Sequence, residues 1–346
     1  MSRARIAIAG NLHWNAGFSQ TVAAYVAAAP ALDCEVAVAA PLSRMDAEVP
    51  GHLPLVEDLG WATHLVFMFE ARQFLTDAQR ELAASFPRNR RAVVDFDGHW
   101  DPVASAEDDG SGPSTESWRA LYRELSDLVL LPKLGGGLPE GAEFFKCFGL
   151  PAEVHRPPLS GDTDYDLQYI GSNWWRWDAL AQVVEAAAGA DPALRRIRVC
   201  GRWWDGETCP GHEAASTSRA GWLRERGVEI HPPVPFGRVI AEMGRSLVSP
   251  LLVRPLVAET RLLTPRMFET LASGSLPVLP ADAEFLAPLY GVWAQDLLLG
   301  PDPAATLGRI AGDRPRYARA VAEIQDRLRV EYGYRQVLAD LLAFFE

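Results

Sequence analysis

The chain has 346 residues, 48% of them hydrophobic and 23% charged, an ordinary globular composition that excludes a disordered, collagen-like or coiled-coil protein. At about 150 residues per domain the length fits two domains. With 33 basic and 45 acidic residues the net charge is −12, and a chain this acidic is expected to have no nucleic-acid partner, because that affinity comes mostly from Lys and Arg on phosphates. Its only lysines are Lys133 and Lys146, so it has no Gly-Lys-Ser/Thr phosphate loop. The excess of Arg over Lys and the abundant Ala point to a GC-rich bacterial genome.

Arg5–Ala9 is a short apolar run ending at Gly10 and is expected to be a buried strand. It is too short for a signal peptide. A helix is expected over Ser19–Ala29, strands at Cys34–Ala39 and His64–Phe69, a helix at Asp77–Ser85, and a strand at Arg91–Phe96. Helix Thr115–Leu125, strand Leu128–Leu131 and a helix over Glu140–Gly149 follow. The Pro157–Asp164 stretch is rich in Pro, Gly, Ser and Asp and reads as a linker. Beyond it the alternation restarts. Strands are expected at Asp166–Ile170, Arg196–Cys200, Gly227–His231, Ser246–Pro250 and Leu276–Leu279. Helices are expected at Trp177–Ala188, Phe236–Arg245 and Thr264–Ser273, with a long helical tail from Pro315. Strands alternating with helices imply two α/β domains with parallel sheets, and a cleft between their strand ends is the expected ligand site. The four cysteines, at 34, 147, 200 and 209, show no framework spacing and read as reduced thiols of a cytoplasmic protein. Cys200, Cys209 and His212 lack a paired Cys-x-x-Cys, so no metal site is expected there. No run of about 18 apolar residues is present, so no integral membrane span is expected.

The most informative segment is Leu262–Pro280, LLTPRMFETLASGSLPVLP. Thr264 suits an N-cap and Pro265 the first helical position. Phe268, Leu271 and Ala272 form an apolar stripe, and Arg266, Glu269 and Ser273 share another face. A cation in the first turn opposes the helix dipole, and a bound anion such as phosphate would offset this. Glu269, one turn deeper, can accept hydrogen bonds from ribose hydroxyls. Arg266 and Glu269 read equally well as an i,i+3 surface ion pair of little energetic worth.

This segment resembles the donor-site helix of GT-B glycosyltransferases, and most of all the CgeB/YkvP-like group related to glycosyltransferase family 4. The shared pattern is carried by Pro265, Arg266, Phe268, Glu269, Ala272, Gly274 and Pro277-Val278. Asp166–Ser172, Arg196–Trp203, Val234–Ala241 and Tyr332–Leu342 resemble further segments of the family's C-terminal half. The resemblance implies a GT-B fold of two Rossmann-like domains facing across a cleft. Residues 1–158 would form the acceptor-side domain and 159–325 the nucleotide-sugar-binding domain, with a helix over 326–346 packing back toward the first. It implies that Gly171 and Ser172 present backbone N–H groups near the donor diphosphate, that Arg202 and Arg266 balance its charge, that Thr264 and Pro265 start the anion-binding helix, and that Glu269 binds ribose. Arg261 departs from the pattern, because family 4 enzymes usually carry a second Glu there, so sugar identity and stereochemistry do not transfer.

In the N-terminal half, His13 lies in the loop after the first strand and is a candidate general base near neutral pH. Asp95 and Asp97 follow the fourth strand; Asp97 is the preferred candidate for base catalysis or acceptor binding, ahead of a metal role for the pair. Eleven tryptophans are present, and Trp174, Trp175, Trp177, Trp203 and Trp204 follow two strand ends. Their rings suit stacking on sugars or bases, or loop packing. The expected activity is transfer of a sugar, UDP-linked by analogy, to a small-molecule or glycan acceptor in natural-product or envelope chemistry, with no cofactor and no metal. An epimerase or hydrolase of the same fold and a catalytically silent nucleotide-sugar-binding subunit are the alternatives. A dinucleotide oxidoreductase is disfavoured, because no Gly-x-Gly-x-x-Gly follows either leading strand.

Overall fold

Continuous apolar runs make the strands, as buried parallel sheets require. The structure, a computed structural model, describes residues 3–12, 17–45, 53–68, 75–103 and 114–346. Within these, the chain divides into two units. The first is Met1–Gly149 with Glu259–Pro265 and Glu331–Glu346, and the second is Leu150–Ala258 with Arg266–Val330.

The first unit holds strands β1 (Ala4–Leu12), β2 (Cys34–Ala39), β3 (Arg44–Met45), β4 (Leu55–Val56), β5 (His64–Met68), β6 (Arg91–Val94), β7 (Leu128–Leu131) and β8 (Ala142–Phe144). They pair in the order β4-β2-β1-β5-β6-β7-β8, with β3 against β1, and every pairing is parallel. Ile6, Ile8, Val66, Phe67, Val93 and Leu130 are buried in its core. The helix expected over Glu140–Gly149 is instead the edge strand β8, with Ala142 opposite Val129 and Phe144 opposite Leu131. Gly141, at φ +79°, turns the chain into it, and Phe144 and Phe145 then alternate between exposed and buried. An apolar run this short fits either structure, and the free edge of β7 decided it.

Two late segments complete this unit. Leu134 N–H donates to the Arg261 carbonyl and Leu263 N–H to that of Pro132, both at 2.8 Å. The expected single helical tail is two helices, Arg314–Glu331 and Tyr334–Ala343, with Gly333 between them. Tyr334 meets the buried Tyr25 ring edge-on at 5.8 Å, and a Cβ on Gly149 would lie 2.4 Å from the Tyr332 carbonyl oxygen.

The second unit holds β9 (Tyr165–Ile170), β10 (Ile197–Cys200), β11 (Val228–His231), β12 (Ser246–Pro250) and β13 (Leu276–Val278), all parallel, in the order β11-β10-β9-β12-β13. The order reverses at β9, so β9 and β12 flank the topological switch point, where ligands of such sheets bind beyond the carboxyl ends of the strands. Phe236–Arg245 is a 3-10 turn, Phe236–Arg238, followed by the helix Val239–Met243. Helices Pro255–Thr260 and Pro303–Gly312 were not foreseen. None of the helices is long and apolar enough to cross a membrane, among the described residues.

The ends of β9 and β10 approach closely at two glycines. A Cβ on Gly201 would lie 2.1 Å from the Gly171 carbonyl oxygen, whereas one on Gly221 would meet nothing within 4 Å. In urea unfolding, Gly201→Ala is expected to lose about 1–3 kcal/mol through overpacking. Gly221→Ala, inside the helix Ala220–Glu225, is expected to hold stability or gain up to about 1 kcal/mol.

Candidate functional site

The carboxyl ends of β9, β10 and β12 carry the polar groups of the second unit. Gly171 N–H, expected to face an anion, donates instead to the Cys200 carbonyl at 2.8 Å. The Gly171 carbonyl accepts the Trp204 indole N–H at 2.7 Å. Gly171 therefore serves by lacking a side chain: a Cβ there would lie 2.5 Å from the Tyr169 hydroxyl oxygen. Ser172 follows it, half-buried, and Arg202 is exposed at the end of β10.

Two residues that the sequence reading passed over hold these loops. Asn173 is fully buried and its amide donates to the carbonyls of Trp203, Ser216 and Thr217 at 3.4, 3.0 and 2.8 Å. Its side-chain oxygen accepts the Arg176 N–H. The Arg176 guanidinium donates to the carbonyls of Ser172, Trp174 and Leu252, which ties the loop after β9 to the loop after β12 across the switch point. The carbonyls that the Asn173 amide meets lie 30 to 44 residues away along the chain and Leu252 lies 76 from Arg176, so no local pattern marks these ties.

The helix Pro265–Ala272 precedes β13. Thr264, Pro265 and Arg266 are half-buried at its start. Glu269 is only 5% exposed, and its carboxylate pairs with the Arg266 guanidinium at 3.1 Å. The pair is thus not a solvated surface pair: it sets one partly exposed cation over a buried carboxylate, which needs such a partner to stay charged. Arg266 also donates toward Met243 Sδ at 3.3 Å. The helix Val239–Met243 is in turn anchored by Glu242, which is 7% exposed and pairs with Arg198, Arg238 and Arg245 at 3.2, 2.8 and 2.8 Å. Burial works to raise the Glu242 carboxyl, but hydrogen bonds from Arg245 and Arg198 outweigh it and hold the group below its ordinary range.

In the first unit, His13 lies outside the described residues. The two aspartates after β6 have different surroundings. Asp95 is buried and accepts the N–H groups of Gly98, His99 and Trp100 and the Tyr122 hydroxyl. Burial pushes its carboxyl up, against the pull of His99 and of the Trp100 and His99 N–H groups. Its oxygens are committed to shaping the loop. The strand ends at Val94, short of the expected Phe96, and Asp97 is half-buried in the turn beyond. Among the described residues, no three His, Cys, Asp or Glu side chains converge as metal ligands. Of the site-like tryptophans, Trp204 is buried and Trp174, Trp175, Trp177 and Trp203 are half-buried.

No family model matches the chain, and no curated protein matches it. Solved structures do. An alpha-glucosyltransferase in complex with UDP-glucose and DNA containing an abasic site is 12% identical, with 99% of each chain covered and a TM-score of 0.68. T4 phage BGT in complex with UDP-glucose is 11% identical over 99% of each chain, with a TM-score of 0.60; the same protein was solved with UDP and Mn2+. An S. aureus TarM variant in complex with fondaparinux, alpha-GlcNAc-glycerol and UDP is 10% identical, covering 82% of this chain and 55% of that one, with a TM-score of 0.52. The chain has the GT-B fold, two α/β units each built on a parallel sheet.

The expectation of no nucleic-acid partner is corrected by these likenesses. A protein with this fold over nearly the whole of both chains was solved with DNA, so the exclusion drawn from a net charge of −12 fails. Net charge is a property of the whole chain and leaves a local surface free to bind anions.

Glu242 gives the site a pH signature. A carboxyl held below its unfolded value adds stability above that value and loses it as pH falls through the folded one. Wild type is therefore expected to exceed Glu242→Gln in urea stability most at neutral pH, with the gap closing through the acid range.

Proposed function

We propose that this chain is a glycosyltransferase that moves a sugar from UDP-sugar, glucose being the first donor to test, to a hydroxyl on a polynucleotide acceptor. The observation that carries this reading is Glu269, buried and held by Arg266 at 3.1 Å, on a helix leading into β13 beside the switch point of a GT-B unit. Neighbours of the same fold were solved with UDP-glucose and with DNA, which supports the donor and acceptor classes. The finer likeness to family 4 and the CgeB/YkvP-like group rests on the Pro265–Val278 motif and the segments Asp166–Ser172, Arg196–Trp203, Val234–Ala241 and Tyr332–Leu342.

In this reading the second unit binds the donor. Glu269 accepts hydrogen bonds from the ribose hydroxyls. Arg266, Arg202, the backbone at Ser172 and the helix start at Thr264 and Pro265 face the diphosphate, while Gly171 keeps that approach clear of a side chain. As the bond from sugar to phosphate breaks, negative charge grows on the leaving diphosphate, and fixed cations and N–H dipoles lower the barrier by stabilising that charge. These groups meet the charge without a resident metal. Asp97 is the proposed base that takes the acceptor hydroxyl proton if the anomeric centre inverts, with His13 as the second candidate; under retention the leaving phosphate takes that proton.

Calorimetric titration with UDP, GDP, dTDP and ADP tests the donor site. UDP is expected to bind best, and Glu269→Gln to weaken it about tenfold or more, the worth of a hydrogen bond to a charged group. The 2′-deoxy analogue of UDP should bind wild type more weakly than UDP does, with the difference shrinking in Glu269→Gln. Transfer of labelled glucose to hydroxymethylated DNA, assayed with and without EDTA, tests acceptor and metal. No binding of any nucleotide overturns the donor site.

A further inference from the structure

Six of the eleven tryptophans lie between residues 174 and 222, all in the second unit. Trp204 is buried, while Trp174, Trp175, Trp177, Trp203 and Trp222 keep part of their surface in solvent. Trp175 and Trp203 have φ of +57° and +66°. That region is strained for a side chain of this size and persists only where the surroundings impose it. At Trp203–Trp204 the outcome is two consecutive indoles with opposite fates. The second enters the core and donates its N–H to the Gly171 carbonyl; the first stays at the surface.

There the Trp203 ring lies 5.5 Å from Trp174 at 47°, and Trp174 lies 5.2 Å from His212 at 57°. The three segments that carry these rings are fixed by the Asn173 amide and by Trp175 N–H donating to the Ala215 carbonyl. A second aromatic group stands on the same stretches of chain. Trp177 meets Trp222 edge-on at 5.6 Å, Arg219 lies over both rings at 5.4 and 5.9 Å, and Arg226 lies 3.8 Å from the Trp222 centroid. Arg219, Arg224 and Arg226 are exposed and form no ion pair among the described residues, with the exposed Asp205, Glu207, Glu213 and Glu225 on the same stretches of chain.

We propose that this surface binds unpaired nucleobases of a polynucleotide, the bases stacking on Trp174, Trp203 and His212 and the phosphates meeting the unpaired guanidiniums. Every base presents a π-face, so rigid indoles bind single strands with little regard to sequence, and the arginines over Trp177 and Trp222 add charge on the same stretches of chain. A neutral glycan would use the indoles but gain little from the guanidiniums of Arg219, Arg224 and Arg226. The proposal names how the acceptor strand is held, and so rests on the transfer reading above.

The test is fluorescence anisotropy of a labelled single-stranded oligothymidylate on the full chain, with UDP calorimetry and thermal melting in parallel. Wild type is expected to bind the oligonucleotide. Trp203→Ala and Trp174→Ala should each weaken it about tenfold or more while leaving UDP affinity unchanged. Where Trp203→Ala fails to fold, Trp203→Phe should retain most of the binding and His212→Ala should weaken it. Unchanged oligonucleotide binding in both Trp→Ala variants overturns the proposal. So does a matching loss of UDP affinity, which would place the rings in the donor site, or equal competition by a neutral maltooligosaccharide. Wild type that binds UDP but no oligonucleotide removes this surface and leaves donor binding standing. Wild type that binds the oligonucleotide through these tryptophans but no nucleoside diphosphate removes the transfer reading instead.

Discussion

Parallel pairing makes all strands of a sheet end at the same edge, and much of the second unit follows from that constraint. The loops after β9, β10 and β12 are brought together there, and their backbone groups have left the sheet's ladder. Buried donors and acceptors need partners, and local turns cannot supply them all. Asn173 answers for the loops after β9 and β10 by donating to three carbonyls from two distant segments. Arg176 does the same between the loops after β9 and β12. Gly171 and Gly201 are required for a related reason: a Cβ would run into the Tyr169 ring at the first and into the Gly171 backbone at the second. The proposed donor groups stand on this framework, which sets their spacing before any ligand arrives.

The strands were legible because a strand buried on both faces leaves a short, mainly apolar run, continuous in Leu128–Leu131 and interrupted by Glu35 in Cys34–Ala39 and by Ser249 in Ser246–Pro250, and the structure reproduces the bounds of all three. Sequence alone failed at Glu140–Gly149, where a free sheet edge settled a short run that local pattern leaves open. It failed also in the tail, where a glycine between two helical runs marks a break that composition does not reveal. The helix Pro265–Ala272 was legible from its cap, its stripe and its Arg-Glu spacing, but the burial of Glu269 depends on packing and is invisible in the pattern. The same holds for Glu242 and its three arginines, and for the surroundings of Asp95 and Asp97. Two identical side chains two residues apart meet different surroundings because the loop folds around one of them.

Charge behaved differently from hydrophobicity as a guide. Apolar pattern reports local structure because each residue is buried or exposed by its neighbours. Net charge sums over a surface whose parts act separately, and screening limits each part to a range of about 8–10 Å at ordinary salt. A chain of −12 can therefore keep one face where guanidiniums outnumber their carboxylate partners.

The division of the chain between its units bears on how the molecule is made. The first unit takes residues 259–265 from within the span of the second and 331–346 from beyond it, and Tyr25, buried in its core, packs against Tyr334. Domains generally form in order from the N-terminus as synthesis proceeds. Here the first sheet is finished only after the strands of the second unit have been made, because the helix Tyr334–Ala343 that completes its unit follows them along the chain. Until then the nascent first unit carries an open apolar face, which makes this stage of its birth the one at which a chaperone has most to protect.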